Sequence, residues 1–144
     1  MDQIFPYANL VTGILVLIVG FAAHWVAQLI SVINWEFATK IGFQEKRMPR
    51  EFKVYEHAIS TADALIGWIY GIAGAGLILN IPWSHKLLWF PGIILLYHGI
   101  CVWFWMGNQK KLGFQLVTGS FRIIWSSLNL ITGILAIIHA WQAG

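Results

Sequence analysis

The stretch LLWFPGIILLYHGICVWFWM, residues 87–106, is an apolar run that contains no charged side chain and a single histidine, His98. About 20 residues of α-helix, at about 1.5 Å each, cover the roughly 30 Å hydrocarbon core of a bilayer. The run lacks the alternation of apolar and polar residues that a barrel strand needs, and backbone groups in hydrocarbon must bond within the chain. The stretch is therefore predicted to be a transmembrane helix.

Three further segments have the same character, and the composition of the chain agrees with them. Of the 144 residues, 58% are apolar and only 10% are charged, which is typical of a protein whose solvent is lipid. By length, the four predicted helices run at about 7–34, 58–81, 87–106 and 115–140. We expect an all-α fold, a bundle of four transmembrane helices forming one integral membrane domain.

The positions of the basic residues predict the orientation of this bundle. The connectors after the first and third helices, which lie on the same side of the membrane, are basic. Their lysines and arginines are Lys40, Lys46, Arg47, Arg50, Lys53, Lys110 and Lys111. On the opposite side, the only basic residue expected is Lys86. The positive-inside rule places both connectors in the cytoplasm and both termini outside, and we expect the plasma membrane of a prokaryote. Residues 1–3 contain no lysine or arginine, so the first helix is expected to be retained rather than cleaved as a signal peptide.

Several classes of function are disfavoured by the sequence. Cys101 is the single cysteine, which excludes an internal disulfide and a CxxC redox pair. The basic residues are those that the topology rule requires, and acidic residues share the main loop with them, so no nucleic-acid partner is expected. The chain contains no Walker loop, GxSxG or HExxH motif.

Two kinds of pattern bear on how the helices are connected and packed. The connector at residues 36–57 has apolar residues at helical spacing, which indicates short amphipathic pieces on the membrane surface, broken at Pro49, or else a solvated hinge. Gly67 and Gly71 form a small-xxx-small pair that would let a neighbouring helix approach closely. The motif NLVTGIL at residues 9–15 recurs as NLITGIL at 129–135, which we interpret as coincidence.

Four ionisable residues fall inside the predicted spans: His24, Asp63, His98 and Arg122. Such residues cost a few kcal/mol when unpaired, which makes them functional candidates. Asp63 and Arg122 are expected at similar depth, where they would form an ion pair, or else be wetted at the interface with Arg122 reaching toward the headgroups. The other histidines, at helix ends, are expected to be solvated there: His57, His85 and His139.

His24 and His98 lie on predicted helices that run in the same direction. Counted from Asn34 and Met106, their depths are within about two residues of each other, so two imidazoles could share one iron. Counts from the neighbouring tryptophans increase the mismatch and would prevent sharing. A hydrogen bond from each histidine to an adjacent helix is the alternative.

The segments FKVYEHAI (52–59), GIAGAGLIL (71–79) and WSHKLLWFPGIILLYHG (83–99) resemble the HemJ-type protoporphyrinogen IX oxidases, small four-helix membrane proteins associated with haem b. The residues that match are Glu56, Trp83, His85, Lys86, Tyr97 and His98, together with Phe121 and Arg122. In the first helix, Gly13 falls near the position of the family's histidine, so His24 is the expected substitute ligand.

The resemblance implies an oxidoreductase that binds haem b through His98 and His24. Lys86, Glu56, Asp63 and Arg122 would then move protons or bind the carboxylates of a porphyrin, because charge-assisted hydrogen bonds to carboxylate are strong. A porphyrin or a quinone-like small molecule is the expected partner, in a homo-oligomer or in a larger membrane complex. The alternative function is that of a non-catalytic four-helix subunit of such a complex, and a small transporter or channel is the least favoured.

Overall fold

The computed structural model describes residues 5–46, 48–113 and 118–142, and this part of the chain is helical with no strand. Residues 1–3, Arg47 and the predicted start of the last helix near residue 115 lie outside the described residues. We number the helices in chain order: α1 Ala8–Ile33, α2 Trp35–Ile41, α3 Arg50–Ile66, α4 Trp68–Ile78, α5 Pro82–Leu87, α6 Trp89–Lys111 and α7 Gly119–Gln142. The predicted all-α class is confirmed.

Three helical segments are long and apolar enough to cross a membrane: α1, α5 with α6 (Pro82–Lys111), and α7. Helices α3 and α4 pass the same test only together, and they are bent by 43° at their junction. The described chain therefore has three candidate spans, or four if the bent pair counts as one. The second helix, predicted at 58–81, instead begins at Arg50, because its first two turns are polar but still helical. It is also broken at Gly67.

The break between α3 and α4 lies at Gly67, a residue type that is a common cause of helix kinks. The Trp25 side chain of α1 occupies the space beside Gly67, where an added Cβ would lie 2.8 Å from the indole ring. The Trp25 Nε1–H donates a hydrogen bond of 2.9 Å to the Ala64 carbonyl, next to the bend. The α1 helix thus holds the bend by a side chain that fits it.

Glycines bring the helices together in two antiparallel pairs, α1 with α3 and α4, and α6 with α7. A Cβ added at Gly13 would lie 2.9 Å from the Gly74 carbonyl oxygen, and one added at Gly133 would lie 2.9 Å from the Gly92 carbonyl oxygen. Added methyls would also clash at Gly71, where Phe21 packs. The predicted close approach at the glycine face of the second span is therefore confirmed.

The interior of the bundle contains both apolar and polar side chains, whereas many large apolar side chains lie on its outer surface. Large apolar side chains such as Ile18, Leu65, Ile93 and Ile124 are more than half exposed. Many of the buried side chains carry polar groups; they include Thr12, His24, Ser31, Ser60, Asp63, Ser126, Asn129 and Thr132. Lipid is as apolar as leucine, so a membrane protein carries its polar groups inside the bundle rather than on the surface that faces lipid.

The long connector contains one short helix, α2, which Asn34 caps by accepting a 2.9 Å hydrogen bond from the Phe37 N–H. Gly42 ends it with a φ of 90°, a conformation that glycine adopts readily. The chain passes Pro49 and then enters α3, so the predicted break at this proline is confirmed. Phe37 and Ile41 are about half exposed, as an amphipathic helix on a membrane surface would require.

Candidate metal centre

Three of the four predicted intramembrane residues meet in the bundle: His24 of α1, Asp63 of α3 and His98 of α6. One potential ligand atom from each residue lies within 4.8 Å of the others. The two imidazole centroids are 4.6 Å apart, and His98 Nε2 lies 3.3 Å from Asp63 Oδ1. The two rings are therefore at similar depth, in agreement with the count from Asn34 and Met106 and not with the count from the tryptophans.

His24 lies in an unusual part of α1, the segment Val16–Val26, whose backbone has π-helical hydrogen bonding. π-Helical turns are rare and occur frequently at functional sites. Its imidazole is 4% exposed, and its Nε2 lies 2.6 Å from Asn129 Oδ1 of α7. The Asn129 amide nitrogen donates to the Trp125 carbonyl at 2.8 Å, which leaves Oδ1 as the acceptor. His24 Nε2 must therefore carry a proton, and in the neutral ring Nδ1 holds the lone pair.

Asp63 is 8% exposed and faces two imidazoles. Its Oδ1 contacts His98, whereas its Oδ2 is buried with no hydrogen-bond partner. A buried carboxylate oxygen without a partner is costly in a low-dielectric interior, and such groups call for an explanation. A cation at this oxygen would provide the missing interaction.

Aromatic rings enclose the cluster. The Trp125 ring lies 5.0 Å from that of His24, and the Tyr70 ring, 2% exposed as a residue, lies 6.5 Å from it. A Cβ added at Gly20 would lie 2.6 Å from the Tyr70 ring, so glycine there lets the tyrosine pack against α1. These rings limit the access of water and strengthen the electrostatic interactions of the polar groups.

The arrangement of the two imidazoles does not fit a haem held between them. An iron lies about 2 Å from each ligating nitrogen, so two axial imidazoles have centroids roughly 6 Å apart with the macrocycle between them. The observed separation of 4.6 Å leaves no room for that ring. The two Nε2 atoms also already contact Asn129 and Asp63. Haem binding stays a prediction.

The predicted ion pair between Asp63 and Arg122 is wrong. Asp63 contacts His98, and the Arg122 guanidinium lies over the Trp103 ring, 4.0 Å from its centroid. The depth estimate failed because α3 begins at Arg50, which places Asp63 about 20 Å from the helix start. Arg122, seven residues before Asn129 in α7, is about 10 Å nearer the helix end than the cluster is.

The other predicted catalytic residues lie outside the cluster. Glu56 is half-buried on α3, about 10 Å along the helix from Asp63, near the Trp105 indole and the Glu45 carboxyl. Burial raises the pKa of Glu45, which is in the connector. Lys86 is exposed on α5, about 18 Å along the chain axis from His98.

The expectation that interfacial water solvates all three remaining histidines is wrong for His139. This side chain is 3% exposed, its Nδ1 contacts the Leu135 carbonyl at 2.9 Å, and its Nε2 has no hydrogen-bond partner. Its ring stacks at 6.3 Å on that of His85, because α5 folds back against α7.

Asn129, Trp125 and Tyr70 were missed by the sequence analysis. Asn129 carried a usable signal in the sequence, since it is an amide near the centre of the last apolar run. In the structure it is fully buried. Compared with protein-family models, curated proteins and solved structures, the chain has no match.

Proposed function

We propose that this chain is an integral membrane oxidoreductase in which His24, Asp63 and His98 bind one transition-metal ion. The observation that carries the proposal is the buried cluster of two imidazoles and one carboxylate, whose potential ligand atoms lie within 4.8 Å of one another. The unpartnered Asp63 Oδ2 supports it, because a bound cation would satisfy this oxygen.

The donor set is chemically suited to a divalent ion of the first transition row. Imidazole suits iron, copper, nickel and zinc, and two histidines with one carboxylate form the ligand set of non-haem iron(II) oxygenases. Ligands about 2.1 Å from a metal are separated by about 3.4 Å in tetrahedral geometry. The ligand atoms lie within 4.8 Å of one another, so the cluster would contract by at most about 1.4 Å on binding. Asn129 would hold the His24 ring in one orientation, as partners behind ligating histidines do.

We also propose that the chain crosses the plasma membrane of a prokaryote four times, with the bent α3–α4 pair as one span. Both termini lie outside, because the basic connectors belong in the cytoplasm. A homo-oligomer or a larger complex would cover exposed aromatic residues such as Trp68 and Trp83, which are about half exposed.

Haem b is the second candidate cofactor, favoured by the equal depth of His24 and His98 on parallel spans. It would require α1 and α6 to lie farther apart than they do. It would also bring with it the porphyrinogen or quinone-like substrate that the family resemblance implies. A non-catalytic subunit is the remaining alternative.

The test is the metal content and absorbance spectrum of the detergent-purified protein, for the wild type and the variants His98→Ala, Asp63→Asn and His57→Ala. We expect about one iron or copper per chain, lost in the first two variants and retained in His57→Ala, whose histidine is exposed. The spectrum should lack a Soret band.

Three other outcomes would each contradict the proposal in whole or in part. A Soret band that disappears in His98→Ala would establish the haem candidate instead. Zinc as the sole metal would retain the site but overturn the oxidoreductase assignment. A colourless, metal-free protein that also fails to take up iron(II), copper(II) or zinc(II) on titration would overturn the metal site.

A further inference from the structure

An open pocket lies where α6 and α7 meet, at the end of the bundle that also holds the connector. Its volume is about 470 Å³, and its walls include Trp103, Gly107, Asn108, Lys110, Lys111 and Arg122. It lies about 10 Å or more from the metal cluster along α7, so it is a separate feature. The sequence predicts for Arg122 an ion pair with Asp63 or a position at the headgroups, and for Lys110 and Lys111 only a role in the topology.

Arg122 is held in place on two sides. Its guanidinium lies over the Trp103 ring at 4.0 Å, a cation–π geometry. On α6, a Cβ added at Gly107 would lie 2.7 Å from its Nη2, so the glycine makes room for the guanidinium. Its Nε is buried with no hydrogen-bond partner. The side chain is therefore a positioned donor rather than a freely moving surface charge.

The charge of the pocket is entirely positive. Lys110, Lys111 and Arg122 line it, and no aspartate or glutamate is among its described lining residues. Within the described ranges, none of the three forms a salt bridge. Three uncompensated cations around one cavity favour a ligand with at least one formal negative charge and several acceptor oxygens.

The surroundings of the pocket are those of a lipid headgroup. Trp103 and Phe104 are 41% and 62% exposed on the lipid-facing side of α6, just before the chain becomes polar at Asn108. Tryptophan prefers this depth at a membrane interface, and basic pockets between helices at this depth bind anionic lipids.

We propose that this pocket binds the phosphodiester headgroup of an anionic phospholipid, with the Arg122 guanidinium donating to the phosphate oxygens. Lys110 and Lys111 supply further positive charge, and Trp103 and Phe104 contact the adjoining acyl chains. The shared chemistry is that of phosphate, which could also come from solution, and the experiment separates the two sources.

The test uses the full chain in nanodiscs that contain equal amounts of phosphatidylglycerol and phosphatidylcholine. Lipids retained on the protein after extraction into detergent are counted by native mass spectrometry. We expect phosphatidylglycerol to be enriched, and Arg122→Gln and the double variant Lys110→Gln/Lys111→Gln to lose about five-fold of that preference per removed charge. Lys40→Gln, an exposed lysine at the same end of the bundle, is the matched control and should retain the preference.

Equal losses in Lys40→Gln would mean attraction by general surface charge and would overturn the proposal, as would full retention in Arg122→Gln. Competition by millimolar inorganic phosphate together with no preference between the two lipids would assign the pocket to free phosphate instead. Arg122→Lys keeps the charge and the span, so an intermediate preference in this variant distinguishes loss of the guanidinium from loss of the fold.

Discussion

Asn129 shows how one amide can set the chemistry of a neighbouring ring. Its nitrogen is committed to the Trp125 carbonyl, so its oxygen must accept a hydrogen from His24 Nε2. The His24 tautomer is then fixed without any charged partner. Asp63 in turn approaches His98 through one oxygen and leaves the other unpartnered. Single side chains thus set both the proton position and the unsatisfied acceptor of the cluster.

At this scale we predict the effect of Asn129→Ala. The substitution leaves the His24 Nε2–H without its buried acceptor, which should lower the free energy of unfolding by about 1–3 kcal/mol. If the cluster binds metal, its affinity should fall about ten-fold or more, because the ring loses its orienting partner. Unfolding in detergent and a metal titration measure the two effects.

The control for this variant is Asn9→Ala. Asn9 also bonds through its amide, to Asn80 at 2.7 Å, but that pair is exposed. Its loss should change the stability much less and leave metal binding unaltered. Equal effects of the two substitutions would contradict a special role for Asn129.

At the level of helices, the two copies of the repeated motif occupy equivalent places. Gly13 of NLVTGIL meets the backbone of Gly74, and Gly133 of NLITGIL meets the backbone of Gly92. The threonine before each glycine, Thr12 or Thr132, is fully buried. The same short pattern therefore forms the close contact in both antiparallel pairs. Two unrelated segments could acquire it by chance, because small residues are common where membrane helices pack.

We predict that Gly133→Ala destabilises the α6–α7 pair. The new methyl would lie 2.9 Å from the Gly92 carbonyl oxygen and 3.0 Å from the Leu96 backbone nitrogen, so the helices must move apart. Overpacking of this kind typically costs about 1–3 kcal/mol. Thermal unfolding in detergent should show a lower midpoint for the variant.

Gly119→Ala is the matched control on the same helix. No atom of the described residues lies within 4 Å of a Cβ at this position, so alanine should be neutral or slightly stabilising. A Gly133→Ala protein as stable as the control would show that the close approach is not required.

In the described part of the molecule, many polar side chains are buried and many large apolar side chains are exposed, around a buried apolar core that includes Leu77 and Leu95. Ile18, Ile93 and Ile124 face outward, while Asp63, Asn129 and Thr132 are buried. This distribution fits a lipid solvent. Unpaired polar groups and charges are costly in hydrocarbon, so they are disfavoured on a surface that faces lipid. This cost also explains why the few charged residues concentrate at the helix ends.

The orientation can be tested in a Cys101→Ser background. We expect a membrane-impermeant maleimide added to intact bacterial cells to label Gln142→Cys and to leave Glu51→Cys unlabelled until the cells are lysed. The reason is that α7 ends outside and α3 begins in the cytoplasm under the positive-inside rule. The reverse pattern would mean that both termini lie in the cytoplasm.

The sequence predicted the apolar helices, because hydrophobic runs determine the spans. It left the meeting of His24 with His98 open, since a depth counted at the helical rise depends on which residues are taken as the helix ends. It failed for Asp63, since the polar first turns of α3 carry no hydrophobic signal for the start of the helix. It also missed Asn129, because the rotation of a helix about its own axis depends on its neighbours. Arg122 was wrongly paired with Asp63 because the late start expected for α3 put the two residues at similar depth.

The location of the cluster across the seam between the two helix pairs has a consequence for biogenesis. His24 and Asp63 come from the first pair, and His98 and Asn129 come from the second. Each hairpin, once inserted alone, would turn polar groups toward acyl chains until the other docks. A chain that stalls halfway is thereby distinguishable from a finished one, and cellular proteases that survey the bilayer have a chemical mark by which to recognise it.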